Sequence, residues 1–240
     1  MIISSTRSTW DRRGFDFNSI PNLAIDLDAR DVVSGSITTI NSRVNGYTFT
    51  GSATRNTALS GSPTISFNGS SNILTSTANV SQISGANAVT VIGAYQDLTL
   101  GSLRYFISNG AGVNGQFIVY WNTNSFCNWA QGNVGITQYF LTKPTAVEAG
   151  IWTTQTDLTL ATGEANLFRK NGASVAAGSF NNSNNTNTFG NFAISIGAMT
   201  GSSNYSNMSF VKLCIYARAL SAAEMTLVER EMGILSGIIF

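Results

Sequence analysis

The chain has 240 residues and a formal net charge of +1, with 10% Asp, Glu, Lys and Arg against 43% hydrophobic residues. Charged residues ordinarily make up about a quarter of a soluble domain, and this near-neutral balance offers no basic field for nucleic acid. Histidine is absent, which excludes Ser-His-Asp and Cys-His nucleophile systems and any His-ligated metal. The length suits one domain with a substantial core, and the Ser, Thr, Asn and Gly that stand in for charges suit short strands joined by many turns. So little charge also points to surface covered in an assembly. No apolar stretch is long enough to span a membrane. Residues 1–20 carry Arg7, Asp11, Arg12, Arg13 and Asp16 and lack the apolar core of a signal peptide.

Residues 1–19 are polar and aperiodic and read as an N-terminal arm. The arm either docks on a neighbouring subunit, with Trp10 as its anchor and Arg7, Arg12 and Arg13 beside it, or folds back on its own domain. IPNLAIDLDARDV (20–32) alternates Leu23, Ile25 and Leu27 against Ala24, Asp26 and Asp28, which predicts a first strand. GSPTISFNGSSNILTST (61–77) predicts two more strands, and the near-continuous apolar run NAVTVIGAYQDL (87–98) predicts one at the centre of a sandwich. RYFISNG (104–110) and GQFIVYW (115–121) predict a hairpin. In 150–178 a strand beginning at Trp152 is followed by one that ends in Phe168-Arg169-Lys170-Asn171-Gly172, where Asn-Gly is a strong hairpin signal. Residues 180–210 read as an Asn-rich loop, the strand FAISIG and a second polar loop.

The ending is the most legible part. In SFVKLCIYARAL, Val211, Leu213, Ile215 and Ala217 share one face, with Lys212, Cys214, Tyr216 and Arg218 on the other; this predicts a strand covered mainly on one side. Ser221 and Glu224 have the spacing of a capping box, and Leu220 and Met225 that of a hydrophobic staple. Met225, Val228 and Met232 form a stripe that Gly233 would end, giving a helix of about three turns. Residues 234–240 form an apolar tail. Burying a large apolar side chain is worth about 1.5–3 kcal/mol, so Ile238, Ile239 and Phe240 either pack back on the domain or enter a subunit contact.

LAIDLDARD, the F-x-G strand, the F-x-N-G turn with FAISIG, and the closing YARALSAAEM together resemble the laminin-G/concanavalin-A-like jelly-roll superfamily over residues 20–233. Domains of this kind occur in bacteriophage structural proteins. The resemblance implies an all-β, two-sheet antiparallel jelly-roll sandwich with one short C-terminal α-helix. It also implies a core role for Trp152 and a structural one for the Arg218 and Glu224 motif. A domain of this kind without an export signal is expected in a virion assembled in the host cytoplasm, as a capsid decoration, head fibre or tail component. Its partners would be other virion proteins, reached through arm and tail, in a homo-oligomer; trimers are common among such spikes.

Candidate chemistry is sparse. Asp26 and Asp28 project from one strand face about 7 Å apart, with Asp31 close by. Many laminin-G-like domains hold Ca²⁺, which makes the three aspartates candidate ligands, set against turn and strand-end hydrogen bonding. The superfamily's glycosidases carry an E-x-D-x-x-E strand, whose acids sit about 5–5.5 Å apart. This chain has no Glu there, and no enzyme is expected. Glu229 and Glu231 read as the solvated face of the helix. Trp121 and Trp129 flank a polar segment holding Asn124 and Asn128. Rings that stack on sugar C–H faces beside amides that bond hydroxyls are the equipment of a carbohydrate site, with Tyr205 a further candidate. The competing reading gives one tryptophan to the core and the other to a loop. Cys127 and Cys214 permit a disulfide without establishing it, and Cys214 reads as a small apolar residue on its strand. The function this supports is a non-enzymatic virion or adhesion protein, with a lectin module that recognises host glycan as the alternative.

Overall fold

The structure is a computed structural model that describes residues 15–59, 61–97, 103–110, 114–122, 125–131, 137–142, 149–160, 166–175, 179–182, 188–199, 201 and 204–240. Its strands are β1 Leu23–Asp28, β2 Gly35–Asn41, β3 Thr48–Leu59, β4 Ser62–Ser66, β5 Ile73–Ser76, β6 Ala88–Asp97, β7 Arg104–Asn109 and β8 Gln116–Asn122. They continue with β9 Ser125–Gln131, β10 Thr137–Thr142, β11 Gly150–Asp157, β12 Asn166–Lys170, β13 Ala173–Ser174, β14 Ser179–Asn182, β15 Ile194–Ile196 and β16 Met208–Tyr216, before helix α1 Ala222–Ser236. Three-residue 3-10 turns at Phe17–Ser19 and Ala29–Asp31 bracket β1.

Hydrogen bonding runs in the order β13-β12-β11-β6-β16-β4-β3-β5-β15-β7-β8-β9-β10-β14, with β1 on β16 and β2 on β3. Strand neighbours are antiparallel, as in the pairs β16–β6 and β7–β8. The ladder folds over on itself into two facing layers. Tyr95 on β6 lies 5.5 Å, centroid to centroid, from Phe106 on β7, and Trp152 on β11 lies 6.0 Å from Trp121 on β8. These rings are far apart along the ladder and meet only because the layers face each other. β3 makes the corner: its first half pairs with β5 and its second with β4. Gly51 sits there at φ 146°, where a Cβ would fall 2.0 Å from the Ile73 carbonyl oxygen; only glycine permits that approach.

The all-β sandwich with a C-terminal helix is as the sequence implies, and so are the central β6, the β7–β8 hairpin, and the turn with Asn171 and Gly172 both at positive φ. Three local expectations are corrected. β16 is buried on both faces, because α1 and the Phe17–Ser19 turn roof the side opposite the sandwich interior. Val211 belongs with Cys214 and Tyr216 under that roof, whereas Phe210, Leu213 and Ile215 face the interior. An irregularity in the β16–β6 register between Phe210 and Lys212 flips the alternation there. Gly233 does not stop the helix, which runs on to Ser236 and ends at Gly237 with φ 72°. The start of the stretch read as an Asn-rich loop is the strand β14, and the polar segment after Trp121 is the strand β9.

The helix start is as predicted. Ser221 Oγ accepts from the Glu224 backbone N–H at 3.3 Å, and the Ser221 N–H donates to Glu224 Oε2 at 2.8 Å. Leu220 and Met225 are both buried in the second apolar cluster. Arg218 donates to Glu224 Oε1 at 2.6 Å. That guanidinium, with the Ser221 N–H, holds the Glu224 carboxyl down from the ordinary 4.5 to about 2. A carboxylate whose folded-state pKa is lowered contributes stability above its unfolded value and loses it as pH falls through the folded one. In urea unfolding from neutral pH downward, the advantage of the natural chain over Glu224→Gln is therefore expected to stay full above pH 4.5 and to vanish near pH 2.

The arm residues Arg7, Trp10, Arg12 and Arg13 lie outside the described residues. From Phe15 the chain is part of the domain: Phe17 and Ile20 are buried beneath α1, and Tyr216 donates its hydroxyl to the Phe17 carbonyl at 3.3 Å. At the other end Ile238 packs on the same cluster, while Ile239 is 97% and Phe240 51% exposed. The Phe240 ring lies against Gly172 and Gly233, so the tail turns back towards the 171–172 turn.

Candidate functional site

The expected sugar-binding set does not converge. Trp121 is 4% exposed and sits in the interior cluster, its ring edge-on to Phe106 and Trp152, each with centroids 6.0 Å away. It is a core residue, as is Trp152. The polar segment after it is the second strand of a hairpin in which Trp121 pairs with Phe126, Val119 with Asn128 and Ile118 with Trp129. The Trp129 position is therefore out of phase with both Trp121 and Asn128 and in phase with Ile118 and Tyr120. Asn124 lies outside the described residues, as do the side chains of Asn128 and Trp129.

The face of β8 turned away from Trp121 is the outer face of the second layer. There Ile118 and Tyr120 form a small apolar cluster of their own, packed by Leu103, Tyr105 and Met199. Tyr105 and Tyr120 are cross-strand partners with ring centroids 5.8 Å apart and planes tilted by 48°. Tyr205 forms a parallel bridge with Tyr105 at the layer's rim. The segment around Tyr205 is clamped by polar bonds. Arg104 Nη1 donates to the carbonyls of Tyr205 at 2.7 Å and Gly69 at 3.1 Å, and Ser206 Oγ donates to the Tyr105 carbonyl at 2.6 Å. The Tyr105 N–H donates to the Asn204 carbonyl at 3.2 Å. Tyr105 and Tyr205 are each half-buried, whereas Tyr120 behind Tyr105 is only 6% exposed. A rigid, half-exposed aromatic ledge is suited to stacking on apolar faces of a ligand while its hydroxyls hydrogen-bond. Tyr105 and Tyr120 were not singled out in the sequence; the signal was their place in the predicted hairpin, where cross-strand pairing puts two tyrosines on one face.

The candidate Ca²⁺ ligands Asp26, Asp28 and Asp31 are all engaged by cations of the chain itself. Asp26 accepts from Lys212 Nζ. Asp28 takes Arg30 Nε at 2.8 Å and Arg43 Nη1 at 2.9 Å, with Lys212 Nζ at 3.5 Å. Asp31 is held by Arg43 through bonds of 2.6 and 2.7 Å. Three carboxylates face three cations, and among the described residues no group of carboxylates and thiols could hold a metal. Burial pushes Asp26 up against the pull of Lys212. At Asp28 burial acts the same way, but the bonds from Arg30, with Lys212 and Arg43, outweigh it and hold the carboxyl low.

Cys214 is a buried free thiol, so it forms no disulfide with Cys127, and burial pushes its pKa well up. Glu229 is not on a solvated face. It is 0% exposed and receives Arg169 through bonds of 2.9 Å to both oxygens, with the Thr153 hydroxyl at 2.6 Å.

No protein-family model and no curated protein matches the sequence. Solved structures do match. The binding domain of botulinum neurotoxin DC in complex with SialylT matches with a TM-score of 0.66 at 10% identity, covering 88% of this chain and 52% of that one. The binding domain of Paraclostridial Mosquitocidal Protein 1 matches at 0.63 and 14% identity, covering 86% and 51%. A structure of botulinum neurotoxin type C, whose cell entry depends on interaction with two ganglioside molecules, matches at 0.57 and 10%, covering 82% and 51%. The likeness is one of fold. These neighbours are β-sandwich binding domains, and the chain spans about half the length of each.

Proposed function

We propose that this chain is a non-enzymatic carbohydrate-binding module that recognises a cell-surface glycan through a ledge formed by Tyr105 and Tyr205, with the buried Tyr120 packed behind Tyr105. The observation that carries the reading is the pair of half-buried tyrosines, Tyr105 and Tyr205, bridged at the rim of the second layer, with Tyr105 packed on the buried Tyr120 ring. The fold it shares with domains described with SialylT and with gangliosides supports the same class of ligand. The chemistry agrees: the ledge offers rings and hydroxyls, and Asp28, Glu224 and Glu229 are held in ion pairs. The test is a glycan array on the whole chain, followed by titration of any hit. Tyr105→Ala and Tyr205→Ala are each expected to weaken binding at least about tenfold, equivalent to about 1.4 kcal/mol, with the melting temperature little changed. Failure to bind any glycan, or binding indifferent to both substitutions, overturns the reading.

A second reading, that the module is carried on a virion as a capsid decoration, head fibre or tail component, rests on the apolar end. Ile234, Ile239 and Phe240 are exposed there around a depression of about 350 Å³ that Arg230 also lines. Such a surface suits a contact with another protein. Co-sedimentation of the chain with particles would support it; its absence from purified particles would end it.

A further inference from the structure

We propose that Lys212 and Asp26 condense within the folded chain into a side-chain amide, an internal cross-link between the first and last strands of the sandwich. The two residues stand on adjacent antiparallel strands: Asp26 is opposite Cys214 and Asp28 opposite Lys212, which puts the lysine within reach of both carboxylates. Lys212 Nζ donates to Asp26 Oδ1 and lies 3.5 Å from Asp28 Oδ2. The Phe17 ring closes the site from the third side, its centroid 4.5 Å from the nitrogen. The Lys212 side chain is 0% exposed, that of Asp28 0% and that of Asp26 7%.

The two carboxylates are not equivalent. Two arginines bind Asp28 and keep it ionised, whereas the carboxylate of Asp26 is bonded only by Lys212 among the described residues. Burial favours the neutral form of Asp26, and a neutral carboxylic acid is the electrophile that an amine attacks. An ammonium and a carboxylate shielded from water gain little from remaining ions. Their amide is neutral, and fixed contact between reactants lowers the barrier to forming it.

The step balances. The Lys212 ammonium first gives a proton to the Asp26 carboxylate, leaving an amine beside a carboxylic acid, and the Nζ lone pair forms a bond to Asp26 Cγ. The nitrogen then gives a second proton to the Asp28 carboxylate, the Cγ–OH bond breaks, and the departing hydroxyl takes that proton from Asp28 and leaves as water. Ammonium and carboxylate become an amide and one water, Asp28 is regenerated, and no oxidant, metal or cofactor takes part.

The cross-link would tie together residues separated by 186 positions. It would constrain nearly the whole domain in the unfolded state, where long closed loops lose the most entropy. The inference is independent of the ligand the tyrosine ledge takes.

The experiment is the mass of the whole, denatured and reduced chain, followed by peptide mapping. The expected result is a chain lighter than its sequence by one water, with a branched peptide joining the segments around residues 26 and 212. A chain of full sequence mass overturns the proposal, and so does a missing water that maps elsewhere. Lys212→Arg and Asp26→Ala are each expected to restore the full mass. Asp28→Ala, which keeps both reacting residues, should also leave the water in place; if it still condenses, Asp28 is not the relay. The natural chain alone decides the main point, whether or not the variants fold.

Discussion

Glu229→Ala is expected to lower the unfolding free energy by about 3–5 kcal/mol, the usual cost of removing one member of a buried ion pair. Arg169 then keeps its place between β12 and α1, with bonds of 2.7 Å to the Gly172 carbonyl and 3.1 Å to the Thr226 hydroxyl, but its charge has lost its counterion. The Thr153 hydroxyl loses its acceptor as well. The pair fastens the helix to the outside of the first layer, so the loss should appear as one cooperative shift of the urea midpoint. Replacing both partners, Arg169→Met with Glu229→Leu, is expected to recover most of the loss, because apolar residues of similar volume need no charge compensation. Equal loss in the single and double variants would show that packing rather than charge is at stake.

Trp121→Ala is expected to cost about 3–5 kcal/mol, as large-to-small changes in a packed core do. The ring is wedged between Phe106 of its own layer and Trp152 of the facing one. Its removal opens a cavity where the two layers meet. Tyr205→Ala removes a half-buried ring at the rim and should cost no more than about 1 kcal/mol. The two substitutions thus separate the candidates that the sequence grouped together: one unfolds the domain, and the other spares the fold while weakening binding.

What was legible in the sequence was what short-range chemistry decides. The Ser221–Glu224 box, the Leu220–Met225 staple and the Asn171-Gly172 turn need only neighbours within a few positions, and all three are formed. What failed depended on partners distant in the chain. Val211 faces the helix because of a register irregularity against β6, which alternation within β16 cannot show. β9, SFCNWAQ, mixes Ser, Asn and Gln with Phe, Cys and Trp, and its strand shows only when β8 and β10 pair with it on both sides. Glu229 was readable in hindsight: it lies four positions after Met225 and three before Met232, inside the apolar stripe. A carboxylate in that stripe calls for a cation beneath it, and Arg169 beside the hairpin turn supplies one. The same reasoning applies to the lone lysine of FVKLCIY and the paired aspartates of LAIDLD, which complement each other across β1 and β16. The tyrosine ledge stayed hidden because Tyr105, Tyr120 and Tyr205 come together only when the rim segment docks beside β7.

The most direct test of the carbohydrate-binding account is to map a glycan-array hit on the isotopically labelled chain by NMR. The account predicts shift changes concentrated on Tyr105, Tyr120 and Tyr205, saturating with the affinity measured in solution. Changes centred on the C-terminal helix and its exposed Ile239 and Phe240, or no changes with any glycan, would contradict it.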